Sequence, residues 1–245
     1  MSQFETALAK VAEIFANDAA DVDRSNTIPQ SHFDELASLG LYGAFAPLEA
    51  GGLGFSLTES SDVVEELASA CLATTFVWIQ HFRLLAAALD PSAPAIVGAV
   101  RHEIVRGRIK GGVALTGLQP GPAKLTATPK RDGWALDGEA PWVSGWGLVD
   151  RLVVAARGPD DTVVSLAIDA QERPGLEATR RQLAALNATS TVKLTFDALF
   201  VDDGHALGQV PHDPSAESAE SLRVNGSLAL GVTRRCCSLI GPSML

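Results

Sequence analysis

The spacing of apolar residues changes at Gly111, and this change constrains the fold more than any other feature of the sequence. Before Gly111, apolar side chains recur at helical spacing, and the clearest stripe is formed by Phe4, Leu8, Val11 and Phe15. After Gly111, short runs of β-prone residues alternate with turn residues, and no helical segment separates them. Helices followed by consecutive strands predict an α+β protein whose strands form an antiparallel sheet or barrel.

The part before Gly111 is predicted to be a bundle of helices. A second helix begins at Ser31 and ends at Gly40, because glycine stops the helical pattern there. A third helix begins at Ser56, since Ser56 and Glu59 have the spacing of a capping box. Two further apolar helices are predicted over residues 75–88 and 95–106.

The part after Gly111 is predicted to form a β-barrel-like domain that is followed by one more helix. The strands cover residues 124–130, 134–137, 151–156, 162–168 and 191–196. A polar linker is predicted over residues 211–220, and the last helix covers residues 221–240, with Leu222, Leu228, Val232, Cys236 and Ile240 as its apolar positions. The predicted regions are an N-terminal helical domain (1–110), a middle β-domain (111–208), and a linker with the start of a C-terminal helical domain (209–245).

The charge of the chain excludes some classes of partner. Its 245 residues carry a formal net charge of −10 at pH 7. Nucleic acids and anionic membranes bind clustered lysines and arginines, so neither is expected as a main partner. The first residues lack the basic and apolar regions of a signal peptide, and this predicts a cytoplasmic protein. The three cysteines have no metal-ligand spacing and are predicted to be buried thiols.

The sequence contains no recognisable metal site or catalytic residue. His81 lies in an apolar helix with no ligand-type residue one turn away, which predicts a core histidine rather than a metal ligand. The Gly-x-Ser-x-Gly turn of hydrolases is absent, and no histidine motif accompanies the cysteines. Hydrolysis by a nucleophilic side chain is therefore not supported.

Two segments at the start of the predicted β-domain carry a family resemblance. They are Gly111-Gly-Val-Ala-Leu-Thr-Gly-Leu-Gln-Pro-Gly121 and Gly138-Glu-Ala-Pro-Trp-Val-Ser-Gly145. They resemble the paired flavin-contacting segments of the acyl-CoA dehydrogenase family, which read roughly A-L-T-E-P-x-A-G-S-D and G-x-K-x-W-I-T-N. Residues 47–55 resemble the family's P-x-x-x-G-G-x-G turn, and residues 187–201 resemble its R-x-S-x-T-x-x-L-x-F-x-D-V-x-V segment. The matching positions in the paired segments are Ala114, Leu115, Thr116, Pro120 and Trp142, with Ser144 in place of threonine.

The resemblance implies an FAD cofactor that lies against the ends of these strands. A hydroxyl group such as that of Ser144 can lie near N5 and O4 of the flavin, while Trp142 forms an apolar wall. The implied cofactor-binding residues are Leu115, Thr116, Trp142, Val143 and Ser144.

The resemblance also implies an FAD-dependent oxidoreductase that acts on the CH–CH group of an acyl-CoA-type thioester. Its electron acceptor would be a flavoprotein or oxygen. In the family, a long C-terminal helical domain carries the catalytic glutamate, and only residues 221–240 correspond to the start of that domain. We therefore expect a chain that is incomplete without a partner and that forms a homo- or hetero-oligomer.

Some positions depart from the family's pattern, and two other functions stay open. Gly117 replaces the acidic residue, Ala140 replaces lysine, and Gly121-Pro122 stand in the A-G-S-D loop. These departures concern thioester recognition more than flavin binding. The alternatives are a flavin-dependent monooxygenase of the same fold and a non-catalytic partner subunit of a heteromeric dehydrogenase.

Overall fold

The computed structural model has helices first, then an eight-stranded sheet, then one long helix, which confirms the predicted α+β class. It describes residues 2–213, 215 and 219–240. The N-terminal helices are α1 (Gln3–Ser25), α2 (Gln30–Ser38), α3 (Leu57–Ala70), α4 (Leu72–Ile79), α5 (His81–Leu89), α6 (Ala95–Gly98) and α7 (Arg101–Val105).

Two helix starts are fixed by capping boxes. The predicted box precedes α3, where Ser56 Oγ accepts the N–H of Glu59 at 3.2 Å and Glu59 Oε2 accepts the N–H of Ser56 at 2.8 Å. A second box, formed by Ser2 and Glu5, caps α1. Both satisfy backbone donors that the first helical turn leaves unpaired.

The predicted helices over 75–88 and 95–106 are each divided in the structure. The first breaks between Ile79 and His81, and the second breaks after Gly98. Residues Leu72–Leu89 have a mean hydropathy of 1.3, which is high enough for a membrane-crossing helix by length and composition alone. Here this stretch forms α4 and α5, and 56 % of it is buried inside the protein.

The sheet contains three strands that the sequence analysis did not predict: β1, β6 and β8. The strand order is β6-β7-β3-β2-β4-β5-β8, and β1 lies beside β4. Neighbouring strands are antiparallel except for β1 with β4 and a single bridge between β2 and β4. The strands are β1 (Gly111–Ala114), β2 (Leu125–Lys130), β3 (Gly133–Val143), β4 (Arg151–Arg157), β5 (Thr162–Asp169), β6 (Leu176–Arg180), β7 (Val192–Asp202) and β8 (Ala206–Pro211).

The last helix, α8 (Ala219–Ile240), packs along α3. A Cβ at Gly231 would lie 2.4 Å from the carbonyl oxygen of Glu65, so the close approach of the two helices requires glycine. The predicted apolar stripe is only partly buried, because Leu228 is buried whereas Leu222 and Ile240 are exposed.

The structure differs from two of the predictions, which concern the cysteines and the linker. Cys71 is buried, but Cys236 and Cys237 are exposed, so the prediction of three buried thiols was wrong. The predicted linker lies partly outside the described residues. Its first residues belong to β8 or follow it directly, and the N–H of His212 donates to the carbonyl oxygen of Asp161 at 2.8 Å.

Candidate functional site

The turn that contains Leu115 and Thr116 follows β1 directly. Leu115 is half-buried, and Thr116 is buried with 8 % of its surface exposed. Arg157, at the end of β4, fixes this turn by donating to the carbonyl oxygens of Gly117 at 3.3 Å and Gln119 at 3.1 Å. The turn is therefore anchored to the sheet.

Gly117 occupies a place where no side chain fits. A Cβ at this position would lie 2.6 Å from the carbonyl oxygen of Ala155 and 2.7 Å from Cα of Ala156. Contacts this short involve backbone atoms of β4, which cannot move aside as a side-chain tip can. The absence of the family's acidic residue at 117 thus has a steric reason in this chain.

A β-bulge turns Trp142 away from the protein. Ala140 pairs with Leu194 and Val143 pairs with Val192, so β3 has one more residue than β7 across this interval. As a result Val143 is fully buried while Trp142 is 62 % exposed.

Arg181 covers part of the exposed indole. Its guanidinium carbon lies 5.3 Å from the centroid of the Trp142 ring, within the range of a cation–π contact. Its Nε donates to the carbonyl oxygen of Pro141 at 3.4 Å. The result is an aromatic surface with a positive charge at its side.

Ser144 begins a chain of three hydroxyl groups. Its Oγ lies 2.7 Å from Oγ1 of Thr191, which lies 2.8 Å from Oγ1 of Thr189. Thr189 in turn donates to the carbonyl oxygen of Leu186 at 2.8 Å. Each hydroxyl has a single proton. Because Thr189 donates to Leu186, Thr191 donates to Thr189 and Ser144 donates to Thr191.

This direction of donation determines what Ser144 offers a ligand. The proton of Ser144 is already used, so the partly buried oxygen presents its lone pairs. The backbone on either side is fixed as well, since the N–H of Gly145 donates to the carbonyl oxygen of Thr189 at 2.7 Å. Ser144 is therefore a preorganised hydrogen-bond acceptor for a ligand N–H or O–H group.

No general base contacts this hydroxyl chain within the described residues. His81 is fully buried, and burial lowers its pKa to about 3, so its imidazole is neutral at pH 7. His32 is also buried, between Thr74 Oγ1 at 2.8 Å and Asp18 Oδ2 at 3.1 Å. The described residues contain no cluster of three or more metal-ligating side chains. His32 thus lies within the helical part, whereas His81 accepts a hydrogen bond from the N–H of Gly111 at the start of β1.

Trp142, Val143 and Ser144 are consecutive at the end of β3 and directly after it, so the structure keeps them together. The neighbouring residues Arg181, Thr189 and Thr191 were not predicted as site residues. Thr191 is 47 residues from Ser144, and only the pairing of β3 with β7 unites them. The signal in the sequence was the pair of threonines, Thr189 and Thr191, at the start of a predicted strand. Thr116 lies in the turn that follows β1, whereas Trp142 lies on β3.

The fold defines the class of protein. The chain superposes on glutaryl-coenzyme A dehydrogenase in complex with glutaryl-CoA with a TM-score of 0.75 and 21 % identity, covering 96 % of this chain and 65 % of that one. It superposes equally well on dibenzothiophene monooxygenase (TdsC) from Paenibacillus, with a TM-score of 0.75 and 22 % identity over 96 % of this chain and 63 % of that one. The fold is that of acyl-CoA dehydrogenases, which monooxygenases share.

Sequence comparisons give the family. Residues 3–91 match the model of the acyl-CoA dehydrogenase N-terminal domain. The chain is 27 % identical over 238 residues to benzylmalonyl-CoA dehydrogenase of Aromatoleum aromaticum, covering 91 % of this chain and 62 % of that protein. It is 32 % identical over 200 residues to L-evernosamine nitrososynthase of a Micromonospora species, covering 78 % of this chain and 48 % of that protein. The chain belongs to the acyl-CoA dehydrogenase family, and it spans 48 to 62 % of the length of these two relatives.

Proposed function

We propose that the face formed by Trp142 and Ser144 binds a flavin and that the chain is part of an FAD-dependent oxidoreductase acting on the CH–CH group of an acyl-CoA-type thioester. The observation that carries this proposal is the pairing of an outward-facing indole with an adjacent, fixed hydroxyl group. Trp142 is 62 % exposed, which is unusual for tryptophan unless a ligand or partner covers it. Leu115, Thr116 and Val143 complete the proposed cofactor-binding set.

The residues of this face match the chemical demands of a flavin ring. A bound flavin supplies the acceptor for the two electrons of the oxidation. Trp142 offers an apolar surface for a planar ring system, and the lone pairs of Ser144 suit a ring N–H donor. The expected pairing of the Ser144 hydroxyl with N5 and O4 of an oxidised flavin does not fit, since those two atoms accept hydrogen bonds and the Ser144 proton is used by Thr191. The hydroxyls of Thr191 and Thr189 hold Ser144 in that orientation. Burial of Val143, which lies between Trp142 and Ser144, fixes the backbone from which both side chains project.

We assign no base for removal of the substrate α-proton to the described residues. A full reaction therefore needs a carboxylate supplied by other residues or by a partner chain. A homo- or hetero-oligomer would provide it, with a flavoprotein or oxygen as the final electron acceptor. We also propose a cytoplasmic location.

A second candidate is a flavin-dependent monooxygenase. It is favoured by Gly117, where a side chain is sterically excluded and the acidic residue of the dehydrogenase pattern is therefore missing. Proteins of the same fold include monooxygenases such as TdsC, whose structure has been solved with bound FMN. A non-catalytic partner subunit is the third candidate, and it predicts no flavin binding at all.

Titration of the purified full chain with FAD and with FMN tests the proposal. The expected result is a flavin spectrum that stays with the protein on gel filtration and that is lost in Trp142→Ala. A spectrum bleached by acyl-CoA esters under anaerobic conditions supports the dehydrogenase. Bleaching only by a reductase, followed by oxygen consumption, supports the monooxygenase. Absence of flavin binding at every concentration would reject both and leave the partner subunit.

A further inference from the structure

A polar groove lies next to Trp142, on the side of its ring where Arg181 is placed. Its volume is about 420 Å³, which is larger than a single inorganic ion requires and within the range of small-molecule sites. Every lining residue is polar, and none is acidic. The lining residues are Asn26, Arg180, Arg181, Gln182 and Asn187.

The two arginines of the groove are not neutralised by carboxylates. Among the described residues neither Arg180 nor Arg181 forms an ion pair, although the chain has a net charge of −10. The neighbouring acid, Glu139, is engaged by Lys193 at 2.7 Å. That hydrogen bond, with a smaller contribution from Arg181, keeps the pKa of Glu139 below its ordinary value. Both arginines thus line the groove, and neither is paired with a carboxylate in the described part of the chain.

Most of the hydrogen-bonding capacity of these arginines is also unused. Arg180 Nη2 reaches the carbonyl oxygens of Asn26 at 3.5 Å and Asn187 at 3.4 Å, and Arg181 Nε reaches that of Pro141 at 3.4 Å. These distances exceed the usual N–H···O range, so the bonds are weak. Each guanidinium has five N–H donors, and the rest remain free for a ligand.

Hydrogen bonds and a helix cap hold the walls of the groove in place. Asn187 Oδ1 accepts the N–H of Leu183 at 2.9 Å, and its Nδ2 donates to the carbonyl oxygen of Leu183 at 2.9 Å. These two hydrogen bonds between the Asn187 side chain and the Leu183 backbone close the loop on one side of the groove. Asn26 forms the other side, as the left-handed C-cap of α1 with φ of 54°. The groove therefore has a fixed shape before any ligand enters.

We propose that this groove binds the phosphate groups of a nucleotide-type ligand whose planar ring lies on Trp142. Adjacent guanidinium groups fit the oxygens of a phosphate ester or diphosphate in a bidentate manner, and amide side chains complete such a site. The placement of the ligand ring on Trp142 rests on the proposed function. The phosphate site is argued only from the residues that line the groove. The phosphate can belong to the flavin nucleotide or to a coenzyme A ester, and the two sources are distinguished by experiment.

The test compares ligands that differ only in their phosphates. Binding of FMN is measured against riboflavin, and binding of 4′-phosphopantetheine, the phosphate-bearing arm of coenzyme A, is measured against pantetheine (the coenzyme A pair), with pyrophosphate as a third probe. The phosphate-bearing member of one pair is expected to bind about tenfold or more tightly, as charge-assisted hydrogen bonds require. The preference is expected to shrink at high salt. Preference within the flavin pair assigns the phosphate to the cofactor, and preference within the coenzyme A pair assigns it to the substrate.

Variants of the groove arginines test whether the groove, rather than the surface around Trp142, binds the phosphate. Arg180→Gln and Arg181→Gln are expected to abolish the preference, whereas the exposed Arg131→Gln at the β2–β3 turn is expected to retain it. Thermal unfolding of each variant checks that the fold is intact. Equal affinities for both members of both pairs, or a preference that survives in the two groove variants, would overturn the phosphate site and leave the proposed function standing. Pyrophosphate binding that is lost in the groove variants, without any flavin binding, would support the phosphate site and reject the proposed function.

Discussion

The backbone N–H of Gly111 donates a hydrogen bond to Nδ1 of His81 across 3.0 Å, and this bond joins α5 to the first residue of the sheet. His81 is fully buried, and the ring of Tyr42 lies edge-on to it at 4.9 Å. An imidazole that accepts at Nδ1 carries its proton at Nε2 and is neutral. The contact therefore depends on His81 staying unprotonated.

His81 is expected to make the protein less stable as the pH falls. Its pKa is lowered by burial to about 3 in the folded chain, while an unfolded histidine titrates near pH 6.5. Between these values the unfolded state binds one more proton, so its contribution to stability is present above about pH 6.5 and is lost progressively toward pH 3 at up to about 1.4 kcal/mol per pH unit. Urea unfolding between pH 7 and pH 4 measures this slope.

Replacement of His81 measures how much its imidazole contributes to the pH dependence of the unfolding free energy. His81→Gln is expected to reduce the slope of unfolding free energy against pH, whatever its effect on stability at pH 7. The exposed His102→Gln is the matched control and should leave the slope unchanged. An unchanged slope in His81→Gln would show that His81 is protonated equally in both states.

A methyl group at position 117 is expected to destabilise the β-domain. Gly117→Ala places a Cβ 2.6 Å from the carbonyl oxygen of Ala155, and relief of that contact must displace the turn from β4. Overpacking of this kind costs about 1–3 kcal/mol. Gly98→Ala is the control, because a Cβ there meets nothing within 4 Å. Chemical denaturation compares the two, and equal midpoints would contradict the steric account of this position.

The hydroxyl chain behind Ser144 is expected to contribute to stability and to ligand orientation. Thr191→Val removes the central hydroxyl and leaves Ser144 and Thr189 each short of a partner, at a cost of about 1–3 kcal/mol. The exposed Thr179→Val on β6 should cost much less. Ser144→Ala removes only the outer hydroxyl, so we expect a smaller stability loss together with weaker flavin binding. Denaturation midpoints and flavin titration of the three variants provide the measurement.

Elements with a local signature were predictable from the sequence, and those that depend on partners were not. The start of α3 was found because Ser56 and Glu59 cap each other within one helical turn. Strand β6 was missed because Leu176-Glu-Ala-Thr-Arg180 has little β propensity, and its pairing with β7 makes it a strand. The break at Gln80 was missed because the apolar pattern continues through it.

Only those residues of the candidate site that are close together in the sequence could be predicted. Trp142 and Ser144 were identified because their segment resembles a family pattern, but the bulge that turns Trp142 outward depends on the register of β3 with β7. Arg181 and Thr191 follow from tertiary structure, since β6 and β7 bring them to β3. The contribution of Thr116 to the site and the division of the chain at residues 110 and 208 stay predictions.

Trp142 is expected to matter for ligand binding and little for folding. Its side chain is 62 % exposed, so Trp142→Ala removes few packing contacts, and surface changes usually alter stability by no more than about 0.5 kcal/mol. Phe200→Ala, which replaces a 54 % exposed aromatic residue of β7, is the matched control. Flavin affinity should fall in Trp142→Ala and persist in Phe200→Ala. A large loss of stability in Trp142→Ala would instead assign the indole to the core.

The exposed leucines of α8, which project from more than one side of the helix, are expected to drive self-association of the chain. Leu222, Leu230 and Leu239 are 52 %, 58 % and 68 % exposed, and they lie on a helix that packs only one side against α3 and α4 in the described part of the chain. Exposed apolar side chains that share a helix favour burial against another protein surface. Sedimentation velocity should show concentration-dependent association that weakens in the Leu230→Ser and Leu239→Ser double variant. Leu48→Ser, which changes an equally exposed leucine at 71 % in a loop of the helical part, should leave it unchanged. A chain that stays monomeric at every accessible concentration would show that α8 needs no covering partner.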